Sequence, residues 1–575
     1  MPELIASNRS SSRPRRGHRV DPVVREQLET LLDDSPLRRD RLLEYLHRIQ
    51  DQHGHLPLSQ LVALADLLQL APAEVHEVAS FYHHFELSEQ TPALTLRVCE
   101  SLSCHMAGAD ELVDALTAAF GDRLRIQPAP CVGRCAEAPV AVLGRHPVGN
   151  ADVTAIQRAL DANDREANLP EEYEDYLAFR SDNGYKLLSE LASGARSADS
   201  VIAQLEDSGL RGLGGAGFPV GRKWLLVRQQ PGPRLLAVNL DEGEPGTFKD
   251  RYYLERHPHR LLEGALIAAT VVGCERIYLY LRDEYAGCRM LLEQELAALR
   301  ASPPADLQLP EIELRRGAGA YICGEESAML ESIEGKRGMP RQRPPFVAEV
   351  GLFGRPTLVQ NGESLYWVSE LLRRGNDFFT REGRRGRHGL RSFSVSGRVR
   401  QPGVYLAPAG VSARELIDEY AGGMLPGHEL QGYFPGGASG GILPANLADQ
   451  PLDFDTLQPH GCFIGSAAVI VFSQQDSVRE LALSALRFFA HESCGQCTPC
   501  RVGCARAVAL MEQPAWDLEN LQRLSRVMQD ASICGLGQAA PNPLLCAMRY
   551  FPEAFSTVER TALAALDASE QEGAL

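Results

Sequence analysis

A multidomain α/β architecture is predicted for this 575-residue chain by three observations. A single hydrophobic core does not grow to that size, so about three to five domains are expected. Helical and alternating apolar patterns follow one another along the chain, as in sheets with helices packed on them. Cysteine is clustered, with eight of the 14 cysteines in two groups near opposite ends. Hydrophobic content of 44% and charged content of 23% are those of a globular protein and exclude a fibrous or collagen-like one.

The elements follow in order. Residues 1–20 are a basic tail of Arg and Ser, expected to be disordered. Organelle transit peptides share that composition, but the missing amphipathic pattern favours a solvated tail. Residues 21–88 keep helical spacing, with stripes at Leu42, Leu43, Leu46 and Ile49 and at Leu61, Leu64, Leu67 and Leu68. Pro72 suits a helix start, and the whole reads as a small bundle. His83 and His84 at its end read as surface residues. Within 89–162, Leu94, Leu96 and Val98 alternate into a strand that ends at Cys99. A helix through Leu112, Leu116 and Phe120 and short strands near Leu124–Ile126 and Val140–Leu143 complete a compact α/β unit. Residues 163–185 read as an acidic linker around Pro170. An α/β region spans 186–390, a small mixed β domain with a turn at Pro402-Gly403 spans 391–475, and a helical remainder spans 476–575.

A net charge of −17 argues against a nucleic-acid partner, whose phosphates call for a positive surface. The longest apolar runs, Gly264–Gly273 and Ala467–Phe472, fall short of the roughly 18 residues a membrane span needs. Without an apolar signal segment the chain reads as cytoplasmic, where paired groups of cysteines point to metal rather than disulfides.

The first group is C-x4-C at Cys99 and Cys104, then 26 residues, then C-x3-C at Cys131 and Cys135. Two pairs on loops can give two soft thiolates to each iron of a [2Fe–2S] cluster, with zinc as the rival. The second group is Cys494, Cys497 and Cys500 at C-x2-C-x2-C, with Cys534 after 33 residues. Three close thiolates and a distant fourth fit the corners of a [4Fe–4S] cubane. Cys504 reads as a bystander, and the scattered cysteines as packed apolar residues.

Gly212, Gly214, Gly215 and Gly217 match G-x-G-x-x-G, but a helical pattern precedes them where a dinucleotide fingerprint wants a strand. Such density still lets backbone N–H groups approach phosphate, with Lys223 for charge and Phe218 for stacking; a plain tight turn is the rival. Asp241, Glu242, Glu244 and Asp250 would repel one another unless each serves a separate purpose, and a second pair, Glu325–Glu326, follows Tyr321 and Gly324. Neither metal-ligand spacing nor a hydrolase triad emerges from these carboxylates; a flavin or a nucleotide ribose suits them better.

Taken together, residues 186–575 resemble the flavoprotein subunit of NADH:ubiquinone oxidoreductase (complex I). The strings that carry the resemblance are RGLGGAGFPVGRKW (211–224), DEGEPGTFKDR (241–251), RRGAGAYICGEE (315–326), RPPF (343–346), ESCGQCTPCR (492–501) and SICGLGQAAPNP (532–543). Residues 21–160 resemble the small [2Fe–2S] thioredoxin-like subunit of that complex. The fusion looks like the diaphorase subunit of a soluble NAD-linked system, in which LRSFSVSGRVRQPGVYLAPAG (390–410) and FPGGASGGILPA (434–445) resemble the β subunit of metal-dependent formate dehydrogenase. An NAD-reducing nickel–iron hydrogenase diaphorase is the alternative. A non-catalytic electron-wire scaffold with a vestigial flavin pocket is a third reading, disfavoured by the intact motifs.

The resemblance implies a thioredoxin-like domain behind the bundle, an FMN- and NAD-binding domain, a β-grasp-like domain and a helical [4Fe–4S] domain. It further implies that the four glycines line the FMN and NAD site, with Glu242, Gly324 and Gln360 among the cofactor contacts. Asn239, Asp241 and Asn361 are expected at the flavin ribityl and ring. Tyr321, Glu325 and the proposed catalytic pair Glu244 and Glu326 would shape the pocket where nicotinamide meets the flavin. Phe218 and Phe346 are expected to stack on adenine, and Lys223 to meet the polar backbone of the dinucleotide. Leu226 stands where the family often has an aromatic residue, Gln360 where many relatives have Asn, and Arg343 replaces a frequent Lys. Formate or hydrogen chemistry would lie in a large catalytic partner subunit (molybdenum or tungsten for formate), within a hetero-oligomer.

Overall fold

The computed structural model describes residues 20–33, 36–87, 94–304 and 308–556 together with Glu559. The basic tail lies outside the described residues, apart from Val20, and so does nearly all of the chain after 556. Four helices, Pro22–Leu32, Leu42–His53, Leu58–Leu67 and Pro72–Ala79, form the amino-terminal bundle; Leu42, Leu43, Leu46, Ile49, Leu61 and Leu64 are buried, while Leu67 and Leu68 are half-buried. The last of them starts with proline at its first turn and ends well before Phe85.

Strands β1 (Thr95–Cys99), β2 (Arg125–Ala129), β3 (Ala141–Leu143) and β4 (His146–Val148) make a sheet of order β2-β1-β3-β4. β1 and β2 run parallel, while β3 is antiparallel to both β1 and β4. The helix Ala109–Phe120 closes one face through Leu112, Leu116 and Phe120. Both parallel strands end at the same edge, which delivers Cys99 and Cys131 together.

The central sheet is fully parallel: β5 (Arg234–Leu240), β6 (Cys274–Leu281), β7 (Glu311–Arg316) and β8 (Thr357–Asn361), in the order β7-β6-β5-β8. Side chains alternate across it. Leu236, Val238, Ile277 and Leu279 join a core with helices Pro258–Val272 and Gly362–Arg374, while Leu235, Ala237, Tyr278 and Tyr280 face the amino-terminal bundle. The bundle packs on this face together with helix Glu326–Ile333 rather than standing as a separate bead. His47 Nε2 lies 2.8 Å from Gly317 O, Arg315 pairs with Asp40 at 2.7 Å, and the Tyr82 hydroxyl donates to Ser332 at 2.9 Å.

Two expectations need correction. His83 is exposed, as expected, whereas His84 is half-buried, and the backbone of both is tied to the central domain. Their backbone N–H groups donate to Gly319 O and Ala318 O, each at 3.1 Å, and His84 Nδ1 meets Asp283 Oδ2 at 2.7 Å. The 163–185 segment is not a free linker either. Tyr176 and Phe179 are buried around His259, and the Tyr176 N–H donates to Glu295 at 2.9 Å. Burial of two aromatic side chains holds the segment down, and Glu174 adds an ion pair with Arg260 at 2.9 Å.

A third sheet contains β9 (Leu390–Gly397), β10 (Gly403–Pro408), β11 (Leu430–Phe434), β12 (Leu443–Pro444) and β13 (Ala468–Ser473), ordered β10-β9-β13-β11-β12. β9 and β13 pair in parallel at its centre, with antiparallel neighbours outside, a β-grasp-like arrangement. β13 is buried along its whole length because it is central, so its apolar run shows no alternation. Helices Val478–His491, Thr498–Met511, Leu518–Ala531, Gly535–Ala539 and Asn542–Tyr550 make up the carboxy-terminal unit.

Candidate functional site

The strand order locates the site. From β5 the chain steps outward to β6 and β7, then returns to the other side of β5 for β8. Such a reversal opens a crevice beyond the carboxyl ends of the two strands that flank it. Asn239 and Asn361 are paired in register there. Asn239 Nδ2 donates to Gly324 O at 2.9 Å, and Asn361 Nδ2 donates to Asp250 Oδ2 at 2.6 Å. The Asn361 side chain also caps helix Gly362–Arg374 by accepting from Ser364 N at 3.2 Å.

The glycine loop lies over this crevice. It sits between helices Ala198–Asp207 and Val220–Arg228, in agreement with the helical pattern before it. Leu213 N donates to Ser364 Oγ at 2.8 Å, and a Cβ at Gly214 would fall 3.0 Å from Asn361 Cβ. Gly215, with φ +122°, has nothing closer to an added Cβ than Gly465 at 3.9 Å, so its backbone faces open space. Gly212 N is taken by Phe218 O, and Gly217 turns against the Phe454 ring.

The crowded carboxylates are separated by partner. Glu242 accepts from Asp250 N at 2.8 Å, Arg251 N at 3.2 Å and the Tyr285 hydroxyl at 2.8 Å, which anchors the first turn of helix Lys249–Arg256. Burial and the Asp250 charge push Glu242 up to about 7. Asp250 lies beside Lys249, whose Nζ is also 2.7 Å from Glu363. Glu244 accepts from Ser439 N at 2.7 Å and from the Tyr321 hydroxyl, and burial raises its pKa. Asp241 is raised well above the carboxylate range by burial, against the pull of Arg282, and its Oδ2 has no partner among the described residues.

Glu325 caps helix Glu326–Ile333 through Ser327 N and Ala328 N and pairs with Arg343. Glu326 lies between Lys223 at 3.8 Å and Arg343 at 3.3 Å. These contacts join the segment after Phe218 to the one before Phe346, and both phenyl rings are exposed, at 42% and 54%. Leu226 is 41% exposed beside them in sequence. Gln360 is buried, and its Oε1 has no partner among the described residues.

Both cysteine groups converge. Cys494, Cys497, Cys500 and Cys534 line one cavity with Ile322, Tyr321 and Phe489. Cys497 and Cys534 precede helices, and Cys500 lies in the first turn of Thr498–Met511. Cys504 is outside that lining, buried with its thiol 3.7 Å from Met528 Sδ. Cys99, Cys104, Cys131 and Cys135 are all buried: Cys99 is hydrogen-bonded with Cys104 and Cys131, and the Cys131 and Cys135 sulfurs are 3.4 Å apart. The loop that carries Cys131 and Cys135 docks beside the crevice, with Arg282 donating to Cys131 O at 2.6 Å and Arg251 to Gly133 O at 3.1 Å. A second cavity is lined by Cys131, Asp241, Gly243, Arg282 and Glu284. Tyr321 and Glu492 line both cavities, and Tyr321 N donates to Glu492 Oε2 at 2.9 Å. Sequence reasoning missed Arg282, Ser364, Ser439 and Glu492; only Glu492, two residues before Cys494, carried a signal.

Comparison with known proteins matches three family models in succession: a thioredoxin-like [2Fe-2S] ferredoxin over 28–164, the Nuo51 FMN-binding domain over 205–370, and the NADH-ubiquinone oxidoreductase-F iron-sulfur binding region over 480–558. An NADH-quinone oxidoreductase subunit of Rhizobium meliloti (strain 1021) is 40% identical over 390 residues, 66% of this chain and 92% of that protein. The chain belongs to this flavoprotein family. The mitochondrial NADH dehydrogenase [ubiquinone] flavoprotein 1 of Dictyostelium discoideum is 39% identical, over 67% of this chain and 84% of its own. Two solved structures of an NAD+-reducing [NiFe]-hydrogenase are similar: the air-oxidized state at TM-score 0.77 and 33% identity, covering 89% of this chain and 92% of that one, and the H2-reduced state at 0.79 and 32%, covering 90% and 94%. Among the described residues no helix is long and apolar enough to cross a membrane.

The residues present fit the groups this family holds. Asp241 Oδ2 and Gln360 Oε1 are buried acceptors without a donor among the described residues, at a crevice roofed by glycines. A flavin mononucleotide supplies the hydroxyl and N–H donors such acceptors lack, and backbone N–H groups of the glycine loop suit its phosphate. The eight converging cysteines are free thiols, the donor chemistry of a [2Fe–2S] and a [4Fe–4S] cluster.

Proposed function

We propose that this chain is the NAD(H)-reacting subunit of a cytoplasmic electron-transfer complex, exchanging hydride with nicotinamide and single electrons with a partner. FMN supplies the conversion between paired and single electrons. The observation that carries the reading is the position of Tyr321, which lines both the cavity of the Cys494 group and the cavity that reaches Cys131 and Asp241.

The roles of this chain's own residues are proposed as follows. The glycine loop and Asn239, Asp241, Gln360 and Asn361 hold and orient the flavin. Phe218 and Phe346 receive adenine, with Lys223 at the dinucleotide phosphates. Glu244, held by Ser439 and Tyr321, and Glu326, held between Lys223 and Arg343, face the nicotinamide side. Glu242 and Glu325 anchor the helices Lys249–Arg256 and Glu326–Ile333 at the edge of the proposed cofactor site. Anaerobically purified chain should bind FMN and pass electrons from NADH to an artificial acceptor; protein with iron but neither flavin nor activity would defeat this reading.

The partner we propose is a molybdenum or tungsten subunit that oxidises formate, supported by residues 390–410 and 434–445. A nickel–iron hydrogenase partner is the second reading, favoured by likeness to the hydrogenase structures over about nine-tenths of this chain, fused amino-terminal unit included. Metal analysis of the co-purified complex separates the two.

A further inference from the structure

His83, His491 and Glu492 come together where the amino-terminal bundle meets the carboxy-terminal cluster unit. His83 follows the last bundle helix, while His491 ends helix Val478–His491 and Glu492 comes next. His83 Nδ1 is 3.6 Å from Glu492 Oε1, and His491 Nε2 is 3.9 Å from the same oxygen. One donor atom from each residue lies within 4.8 Å of the other two. The imidazoles lie face to face, with centroids 4.3 Å apart and planes tilted by 35°.

We propose that these three side chains bind a zinc ion that fastens the bundle to the cluster unit. Zinc is held by nitrogen and oxygen donors about 2.0–2.2 Å away, which sets tetrahedral donors about 3.3–3.5 Å apart. The observed separations need only small side-chain rotations to close to that. Two histidines and one carboxylate form a recurring zinc donor set, with the fourth position left to water. Both imidazoles are partly exposed, at 37% and 54% of their side chains, so solvent reaches that position.

The carboxylate is preset for the task. Glu492 is almost fully buried, its Oε2 is fixed by the Tyr321 N–H, and Oε1 points to the histidines. Such outer hydrogen bonding orients a metal-binding carboxylate. His83 already meets this buried carboxylate, and a divalent ion would hold both of them together with His491. Glu492 borders both cysteine cavities and His83 the one that reaches Cys131, but the nitrogen and oxygen donors of the proposed site differ from the sulfur of the cysteine groups.

The test uses full-length protein with iron and flavin loaded, equilibrated with zinc and passed through a desalting column. Elemental analysis should find about one zinc per chain, and X-ray absorption at the zinc edge should show nitrogen and oxygen neighbours without sulfur. His83→Gln and His491→Gln should each weaken zinc binding at least about tenfold while iron and flavin contents stay constant. Sulfur in the zinc shell would place the metal in a cysteine site and overturn the proposal. So would zinc far below one per chain, or undiminished zinc in both variants. The absorption measurement on unaltered protein decides the matter even if a variant fails to fold.

Discussion

The Tyr321 hydroxyl donates a hydrogen bond to the half-buried carboxylate of Glu244. The same residue lines the cavity of the Cys494 group and fixes Glu492 through its backbone. Tyr321→Phe leaves Glu244 with Ser439 N as its only donor among these contacts, at a cost of about 1–3 kcal/mol in stability. NADH oxidation by ferricyanide should fall while flavin stays bound; an unchanged rate would remove Tyr321 from the reaction site.

The iron assignments predict a clean division. Cys534→Ala should reduce iron from about six atoms per chain to about two, with the [2Fe–2S] signal retained. Cys504→Ala should leave iron unchanged, since Cys504 stands outside the cavity lining. Iron analysis and low-temperature paramagnetic resonance read both outcomes.

Asn361 performs two tasks, capping a helix and holding Asp250. Loss of the cap alone in Asn361→Ala should cost about 0.5–2 kcal/mol. The variant should also release FMN on desalting, because the flanking strand end loses its ordered amide. Urea unfolding and flavin absorbance distinguish the two effects.

Lys223 bridges Val359 O, at 2.9 Å, and Glu326. Lys223→Ala should raise KM for NADH about tenfold and leave kcat within about twofold, the pattern of lost binding that ground and transition states share. A fall in kcat alone would assign it to the chemical step instead.

Glu263 offers a pH test away from the crevice. Burial pushes it up to about 7, although Tyr185 N and Ser369 donate to it. A carboxyl raised in the folded state stabilises fully below its unfolded value near 4.5, and that contribution is lost as pH rises through about 7. The difference is on the order of 3 kcal/mol. Glu263→Gln should therefore flatten the decline in stability between pH 5 and 8 by about that amount, measured by urea unfolding.

Local signals were the legible part of this protein. Helical spacing marked the bundle, alternation marked β1 and β9, and cysteine spacing marked both sulfur groups, because each signal needs only neighbours in sequence. Long-range facts were hidden. Nothing near His84 announces Asp283, and nothing near Tyr176 announces His259. The crowding of Asp241, Glu242, Glu244 and Asp250 was readable as a puzzle, but its solution lay in partners as distant as Tyr285, Tyr321, Asn361 and Ser439.

The amino-terminal bundle covers one face of the parallel sheet, and that has a consequence for synthesis. Helices that leave the ribosome first carry an apolar surface whose counterpart, Leu235, Ala237, Tyr278 and Tyr280, is translated well over a hundred residues later. During that interval the nascent chain needs a chaperone or a provisional collapse to keep the surface from sticking elsewhere.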